Sequence, residues 1–395
     1  MTDDKDSESD SSLSSKSRNG SNIPPPTQSN GPTLRQRILC IGFPFCFIAL
    51  VTMANFNDTI DQYAHQKGNI KAKLDDVLTL PMQPKSLKIQ GVEHYFLLPP
   101  ILQNGKAPKP KGILIFLHSC KRSGLEFFSL PEDRIVAQNA LDKQLAVLAV
   151  TSQNRESGCW TQPDTDWVGG VVDQWAHHFN LQNIPRMGMA VSSAASFLFF
   201  VYQPMKLKSM AIYNSPQGFD RSELPGIAIP TAFITMPLDN YISAQMENNF
   251  NVMTQAGVPS QLYKVTSHPF TDKLCQARLP EMGAEVCQAL FHLLHKEYPH
   301  LLDADSFIKE DLKSGKWQEL FRKLDLEHKT EGQELFATDK SHSGKTWLNA
   351  GMEQEISVCQ AFHSMTSEHH SSVLEFLMQS AGIGGPKQQR IRGNP

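Results

Sequence analysis

The sequence predicts an α/β fold in which a doubly wound, mostly parallel sheet is covered by helices on both faces. Short uninterrupted apolar runs, such as Gly112 to Leu117 and Leu145 to Val150, are typical of strands buried on both sides. Segments with helical apolar spacing separate these runs, and such alternation favours a parallel sheet. With 395 residues and 40% hydrophobic content, the chain is long enough for one large domain.

The predicted elements follow in regular order along the chain. A strand-like region from Leu87 to Leu98 precedes the first buried strand. The later predicted strands are Met187 to Val191, Ser209 to Tyr213, Thr231 to Thr235 and Gln261 to Thr266. The helices predicted between strands are Asp133 to Lys143, Asp166 to Phe179, Ser193 to Tyr202 and Ile242 to Ala256. We therefore expect the α/β core to span residues 87–299.

Beyond about Pro280 the pattern becomes mainly helical. The segments with helix-period apolar spacing are Met282 to Tyr298, Ala304 to Lys313, Trp317 to Leu324 and Met352 to Gln379, and Lys329 to Thr346 is a polar connector. These patterns predict a helical C-terminal region over residues 300–381, followed by a disordered tail over 382–395.

The N-terminal part has a different composition. Residues 1–37 are rich in Ser, Asn, Asp and Pro, which predicts a disordered tail. The uncharged apolar run at 38–54 is about long enough to span a bilayer, and Arg35 and Arg37 precede it. The positive-inside rule then predicts a single-pass signal-anchor with a cytosolic N-terminus, a linker at 55–86 and a lumenal or extracellular domain. One alternative is a buried core helix, and the other is a cleaved signal peptide with Thr52 and Ala54 at the -3 and -1 positions of its cleavage site.

Charge and cysteine content limit the class of protein. A formal net charge of -3 gives no support to nucleic-acid binding. If the domain is translocated, the candidate disulfides are Cys275 to Cys287 and Cys120 to Cys159. Spacings of cysteine and histidine typical of a metal site are lacking, so we expect no metal and no cofactor.

Three polar residues follow predicted strands in the order Ser192, Asp239, His268. Ser192 lies between a short strand and a helix among tiny residues, which is how a nucleophile is exposed on a sharp turn. Asp239 can orient a histidine, and His268, before Pro269, can act as general base and then acid. Ser192 and Asp239 can instead be helix caps, and His268 a surface-loop histidine. His363 and His369 are the second choices for the base.

This order resembles that of the α/β-hydrolase superfamily over roughly Leu87 to Pro299. The turn His118-Ser119-Cys120 and the elbow Ala190-Val191-Ser192-Ser193-Ala194-Ala195 are similar to those of secreted esterases of the polyhydroxybutyrate-depolymerase and feruloyl-esterase type, with alanines at elbow positions where that family has glycines. The resemblance implies an oxyanion hole built from the Ser193 N–H and the turn at Ser119 and Cys120.

The function that we expect is therefore a membrane-anchored serine hydrolase, most specifically a carboxylic-ester hydrolase acting on a small-molecule or lipid ester. Two alternatives stay open. One is a catalytically inactive homologue that acts as a membrane-anchored interaction protein, and the other is an acyltransferase that uses the same three residues.

Overall fold

The structure is a computed structural model that describes residues 82–100, 109–217, 229–310, 312, 315–327 and 347–384. The described residues all belong to one compact unit. The predicted disordered tail and membrane anchor, most of the predicted linker, and the chain after residue 384 lie outside the described residues. Within the described ranges, no helix is both long and apolar enough to cross a membrane.

An eight-stranded sheet forms the centre of the described unit. Its strands are β1 (Lys85–Ile89), β2 (Val92–Leu97), β3 (Gly112–Leu117), β4 (Leu145–Val150), β5 (Arg186–Val191), β6 (Leu207–Tyr213), β7 (Thr231–Thr235) and β8 (Ser260–Lys264). They lie in the order β1-β2-β4-β3-β5-β6-β7-β8. The β1–β2 and β2–β4 pairs are antiparallel, and every other neighbouring pair is parallel.

Helices cover both faces of this sheet. In chain order they are α1 (Pro131–Asp142), α2 (Gln162–His178), α3 (Ser193–Val201), α4 (Asn240–Gln255), α5 (Asp272–Arg278), α6 (Gly283–Glu297), α7 (Lys316–Glu327), α8 (Trp347–Cys359) and α9 (His370–Ser380). A short 3₁₀-helix at Gly124–Phe128 lies between β3 and α1, and another at Pro280–Met282 lies between α5 and α6.

Alternating side chains of one strand enter two different cores. Ile113, Ile115 and Leu117 of β3 join the cluster on one face. Leu114 and Phe116 join the cluster on the other face, so every residue of this strand is buried. The mostly parallel sheet with helices on both faces confirms the predicted fold class and matches the α/β-hydrolase fold.

The C-terminal region differs from its prediction in two places. The single helix predicted from Met352 to Gln379 is wrong, because α8 ends at Cys359 and α9 begins only at His370. The segment between them, residues 360–369, is called the α8–α9 loop below. The helix predicted from Ala304 is also wrong over residues 304–310, which form turns around an isolated bridge between Leu302 and Ile308.

Helix α9 packs directly on the sheet. Its Val373, Leu374 and Leu377 lie in the same core cluster as the inner strands. The buried Ser209 hydroxyl of β6 donates a hydrogen bond of 2.8 Å to the carbonyl oxygen of Leu377. The last described helix is therefore part of the layer that covers the second face of the sheet.

The first turn of α1 binds the C-terminal segments through three consecutive residues, Glu132, Asp133 and Arg134, which we call the α1 clasp. The buried Glu132 lies 3.7 Å from Arg278 and accepts a hydrogen bond of 3.2 Å from the Thr366 hydroxyl. Its carboxylate also accepts from the backbone N–H of Ser367. Arg134 pairs at 2.5 Å with Glu281.

The third member of the clasp bonds to helix α8. Gln354 donates a hydrogen bond of 2.5 Å to Asp133, and its amide oxygen accepts one of 3.1 Å from the backbone N–H of Glu132. The clasp thus fixes α8, the α8–α9 loop and the end of α5 to one helical turn.

Both candidate disulfides are present, so these two predicted pairings are confirmed. Cys120 bonds to Cys159 and Cys275 bonds to Cys287. The fifth cysteine of the described residues, Cys359, is buried.

We expect Glu132→Gln to destabilise the protein by about 3–5 kcal/mol, because it leaves Arg278 as a buried charge without its counter-charge. Urea denaturation measures this loss. Glu375→Gln is the matched control, since Glu375 pairs with Lys143 at 3.2 Å but its side chain is 57% exposed. This control should lower the free energy of unfolding by less than about 1 kcal/mol. Equal losses in the two variants would contradict the assignment of Glu132.

Candidate active site

Ser192 lies at the turn between β5 and α3 in a backbone conformation that few residues other than glycine adopt. Its φ is 58° and its ψ is -126°. Two sets of backbone hydrogen bonds hold this turn. The Ser192 N–H donates to Tyr213 O at 2.8 Å, and the Ser192 carbonyl accepts from Ala195 at 3.0 Å and from Ser196 at 3.3 Å. The side chain is thereby presented at the carboxyl end of the sheet, at a helix N-terminus.

The alanines around Ser192 fit this sharp turn. Ala190, Ala194 and Ala195 are fully buried and belong to one core cluster. Ser192 nevertheless keeps its positive φ. The three methyl groups therefore occupy core space without preventing the conformation that exposes a serine hydroxyl.

Asp239 follows β7 and forms the N-cap of α4. One carboxylate oxygen, Oδ1, accepts a hydrogen bond of 3.5 Å from the backbone N–H of Ile242. The other oxygen, Oδ2, lies 2.6 Å from Nδ1 of His363. The capping role and the contact with a histidine are thus both present, one on each oxygen.

His363, in the α8–α9 loop, connects Asp239 to Ser192. Its Nε2 lies 2.8 Å from the Ser192 Oγ. If Nδ1–H donates to the Asp239 carboxylate, Nε2 accepts the proton of the Ser192 hydroxyl. These three side chains, separated by 124 and 171 positions in the sequence, form one hydrogen-bonded line.

The structure places His363 where we expected His268. The His268 N–H donates a hydrogen bond of 3.0 Å to the carbonyl oxygen of Cys359, the last residue of α8. The His268 side chain is 1% exposed, and its Nδ1 lies 3.3 Å from the Pro269 carbonyl. His369, the other second choice, lies 3.2 Å from Lys264 O and 3.4 Å from Glu368.

Asn214, at the end of β6, binds the loops of both Asp239 and His363. Its Nδ2 donates to Ser364 O at 2.7 Å, and its Oδ1 accepts from the Met236 N–H at 3.2 Å. The residue is fully buried and has a φ of 49°, a conformation that asparagine tolerates better than most residues. Sequence analysis did not identify Asn214, although a polar residue directly after a buried strand is a usable signal.

The turn after β3 is fixed by a buried histidine. The Nε2 of His118 accepts from the Ser152 N–H at 3.1 Å, so Nδ1 bears the proton and donates to Ser119 O at 2.8 Å. Trp160 donates to the His118 carbonyl at 2.8 Å. Burial lowers the pKa of His118 to about 3, so the ring stays neutral at physiological pH.

The predicted oxyanion residues lie near Ser192. Ser119 and Cys120 line the same cavity as Ser192 and His363. The Ser193 hydroxyl donates to Cys120 Sγ at 2.9 Å, because the disulfide with Cys159 leaves that sulfur without a proton. The Ser193 contact therefore joins the turn after β3 to the start of α3, and the disulfide joins the same turn to the segment before α2.

The cavity next to Ser192 has a volume of about 270 Å³ and a lining of polar and apolar side chains. Its charged and amide side chains are Arg122, Glu126, Asp133 and Gln354. Burial raises the pKa of Asp133 to about 7, although the hydrogen bond from Gln354 acts in the opposite direction. In the described ranges, no cluster of His, Cys, Asp or Glu has the arrangement to hold a metal ion.

Comparisons with known proteins gave likenesses of structure alone. No family model matches the chain, and no curated protein matches it. Dienelactone hydrolase from Anabaena variabilis is 17% identical over 55% of this chain and 98% of its own, with a TM-score of 0.35. A carboxylesterase from Mesorhizobium loti is 12% identical over 51% of this chain and 100% of its own, with a TM-score of 0.37.

A fungal esterase from Rhizomucor miehei is 13% identical over 60% of this chain and 89% of its own, with a TM-score of 0.36. TM-scores below 0.5 support no inference about the activity of this chain.

Asp133→Asn should flatten the dependence of stability on pH. The raised pKa means that the native state keeps a proton that the unfolded state loses above about pH 4. The free energy of unfolding of the wild type therefore falls between about pH 4 and pH 7, by about 1.4 kcal/mol for each pKa unit of difference. The asparagine variant lacks this contribution, which urea denaturation at about pH 5 and pH 8 measures.

Asp142→Asn is the control, because Asp142 accepts a hydrogen bond from Gln138 at 2.8 Å at an exposed site of the same helix. It should keep the pH dependence of the wild type. An unchanged pH dependence in Asp133→Asn would show that the Asp133 carboxyl titrates normally.

Proposed function

We propose that this protein is a serine hydrolase that cleaves carboxylic esters at Ser192. The single observation that supports this most strongly is the hydrogen-bonded line from Asp239 through His363 to Ser192. A serine on a sharp turn, a histidine within reach of its hydroxyl and an acid on the other ring nitrogen are the groups that acyl transfer requires.

In the proposed mechanism Ser192 Oγ attacks the ester carbonyl while His363 Nε2 takes the hydroxyl proton. Asp239 keeps the imidazole oriented and stabilises the imidazolium that forms. When the C–O bond of the ester breaks, His363 returns the proton to the departing alcohol. Water then attacks the acyl-enzyme with the same histidine as base, which releases the acid and restores Ser192. No cofactor takes part in these steps.

Backbone donors are proposed to stabilise the oxyanion. One is the N–H of Ser193, the residue after the nucleophile. The other is proposed to come from the Ser119–Cys120 peptide. Because His118 holds the Ser119 carbonyl, and the carbonyl and N–H of a trans peptide point in opposite directions, the direction of the Cys120 N–H is fixed as well.

The strained conformation of Ser192 favours this proposal over an inactive homologue. A non-glycine residue in such a region costs about 1–3 kcal/mol, which a purely structural serine has no reason to keep. The finer resemblance to esterases of the polyhydroxybutyrate-depolymerase and feruloyl-esterase type remains part of the proposal and depends on the motifs around Cys120 and Ser192.

The proposal includes a membrane anchor at 38–54, with a cytosolic N-terminus and the hydrolase domain in the lumen or outside the cell. Two disulfides among the described residues support this placement, because disulfides persist in oxidising compartments. A small-molecule or lipid ester is the proposed substrate.

Labelling with a fluorophosphonate probe tests the proposed nucleophile and base. The folded wild type should be labelled, and Ser192→Ala should not be. His363→Ala should slow labelling by about 100-fold or more, because the general base is lost. In-gel fluorescence against time gives the rates.

His268→Gln is the matched control, since His268 Nδ1 contacts the Pro269 carbonyl, whereas His363 is the histidine bonded to Ser192. Its labelling rate should stay within about threefold of the wild type. Absence of labelling in the folded wild type would leave the inactive homologue as the correct alternative, and loss of labelling in the His268 variant alone would reverse the assignment of the base.

Asn214→Ala should lower kcat by about 10- to 100-fold with little change in KM. Asn214 is a positioning residue, because it holds the two loops that bear Asp239 and His363 without reaching Ser192. Steady-state hydrolysis of p-nitrophenyl esters measures both constants. Ser209→Ala is the control, as it removes a buried hydrogen bond from the same strand to α9. A change confined to KM would contradict the positioning role.

A further inference from the structure

Asp133 is a buried carboxyl group that the proposed mechanism does not use. It is 3% exposed, and it lines the same cavity as Ser192 and His363. It lies in the first turn of α1, next to Glu132, which binds the loop that bears His363. Carboxyl groups with a strongly raised pKa inside a cleft are candidates for contact with a ligand.

The hydrogen bonds around Asp133 leave one oxygen for the cavity. Gln354 Nε2 donates to Oδ2 of Asp133 at 2.5 Å. Among the described residues no protein group donates to Oδ1. This oxygen is also absent from the fully buried polar atoms, so it keeps some surface accessible to solvent.

Gln354 adds a donor beside this acceptor. Its amide oxygen is already bonded to the Glu132 N–H at 3.1 Å, which fixes the orientation of the amide group. An amide nitrogen has two hydrogens, and only one of them is directed to Asp133. Because Gln354 and Asp133 both line the cavity and are bonded to each other, the second N–H of Gln354 and Oδ1 of Asp133 are the candidate donor and acceptor for a ligand there.

We propose that Asp133 and Gln354 recognise a hydroxyl group on the ester substrate, so that the enzyme selects hydroxyl-bearing esters over alkyl esters of equal length. A hydroxyl donates to Asp133 and accepts from Gln354 at once, whereas an ammonium group only donates and an alkyl chain does neither. This inference rests on the proposed function, since it names the substrate class of the same site.

The wider wall of the cavity is compatible with such a group. Arg122 and Glu126, which have opposite charges, also line the cavity. A site whose polar groups are left unpaired by a substrate discriminates strongly against that substrate. Selectivity by hydrogen bonding is therefore expected to exceed selectivity by size.

The test compares p-nitrophenyl hexanoate with counterparts whose acyl chain ends in a methoxy or a hydroxyl group. A second arm compares propyl butyrate with counterparts whose propyl chain ends in the same two groups, because the hydroxyl can lie on either side of the ester. At about pH 8 the Asp133 carboxylate predominates, as its pKa is about 7. We expect kcat/KM of the wild type to favour hydroxyl over methoxy by at least about tenfold in one arm.

In Asp133→Asn this preference should fall to within about twofold, because the amide N–H donates equally well to a hydroxyl or to an ether oxygen. Asp142→Asn, with its exposed pair to Gln138, should keep the preference of the wild type. Equal rates for hydroxyl and methoxy esters in both arms of the wild type would overturn the inference, as would a preference that survives in Asp133→Asn.

Fluorophosphonate labelling separates the two proposals. Labelling of Ser192 without any hydroxyl preference leaves the hydrolase proposal standing and removes the role of Asp133. Absence of both labelling and hydrolysis would contradict the hydrolase proposal and, with it, the proposed hydroxyl recognition. Where turnover is slow, the protection of Ser192 from labelling by each ester gives the same comparison of hydroxyl and methoxy groups. The wild-type preference alone tests the inference, even if a variant fails to fold.

Discussion

The α1 clasp is the interaction on which the candidate site depends. The groups that form the line from Asp239 to Ser192 come from three distant parts of the sequence. Ser192 and Asp239 follow strands of the sheet, whereas His363 lies in the α8–α9 loop. The loop that bears His363 has no regular structure of its own, and Glu132 holds it through Thr366 and Ser367. Because the carboxylate of Glu132 is buried against Arg278, the loop is fixed by groups that water cannot replace.

Ser192 shows how the same fold maintains a strained turn. The N–H of Ser192 is bonded to the neighbouring strand at Tyr213, and the turn begins a helix whose first residues are buried. Backbone strain of this kind persists only when several surrounding contacts hold the residue in that conformation. Alanine is small enough for that purpose, since Ala190 and Ala194 pack into the core beside the serine. The requirement at these positions is therefore for small volume, and a missing glycine does not by itself remove the turn.

Sequence patterns predicted the sheet, Ser192 and Asp239 well, because buried parallel strands and the residues that follow them have a strong local signal. They failed at His363 for a physical reason. From Met352 to Ala381 the chain has no glycine or proline, and its apolar spacing continues at helical period, so it was interpreted as one helix. The break instead depends on tertiary contacts, and Ala361, His363 and His369 all take positive φ values there. The cluster of Ser364, Thr366 and Ser367 was the available local signal of a turn.

Burial of two adjacent carboxyl groups in the α1 clasp is possible because of where they lie. Both Glu132 and Asp133 belong to the first turn of a helix, where free N–H groups and the helix dipole favour negative charge. Arg278 provides a full counter-charge for Glu132. Burial raises the pKa of Asp133, and the hydrogen bond from Gln354 and the attraction of Arg122 offset this rise only in part. One carboxylate thus serves to hold the α8–α9 loop, and its neighbour stays only partly satisfied in the cavity beside Ser192. A group that costs stability in this way is most easily explained by a bound partner, and the cavity is the place where such a partner reaches it.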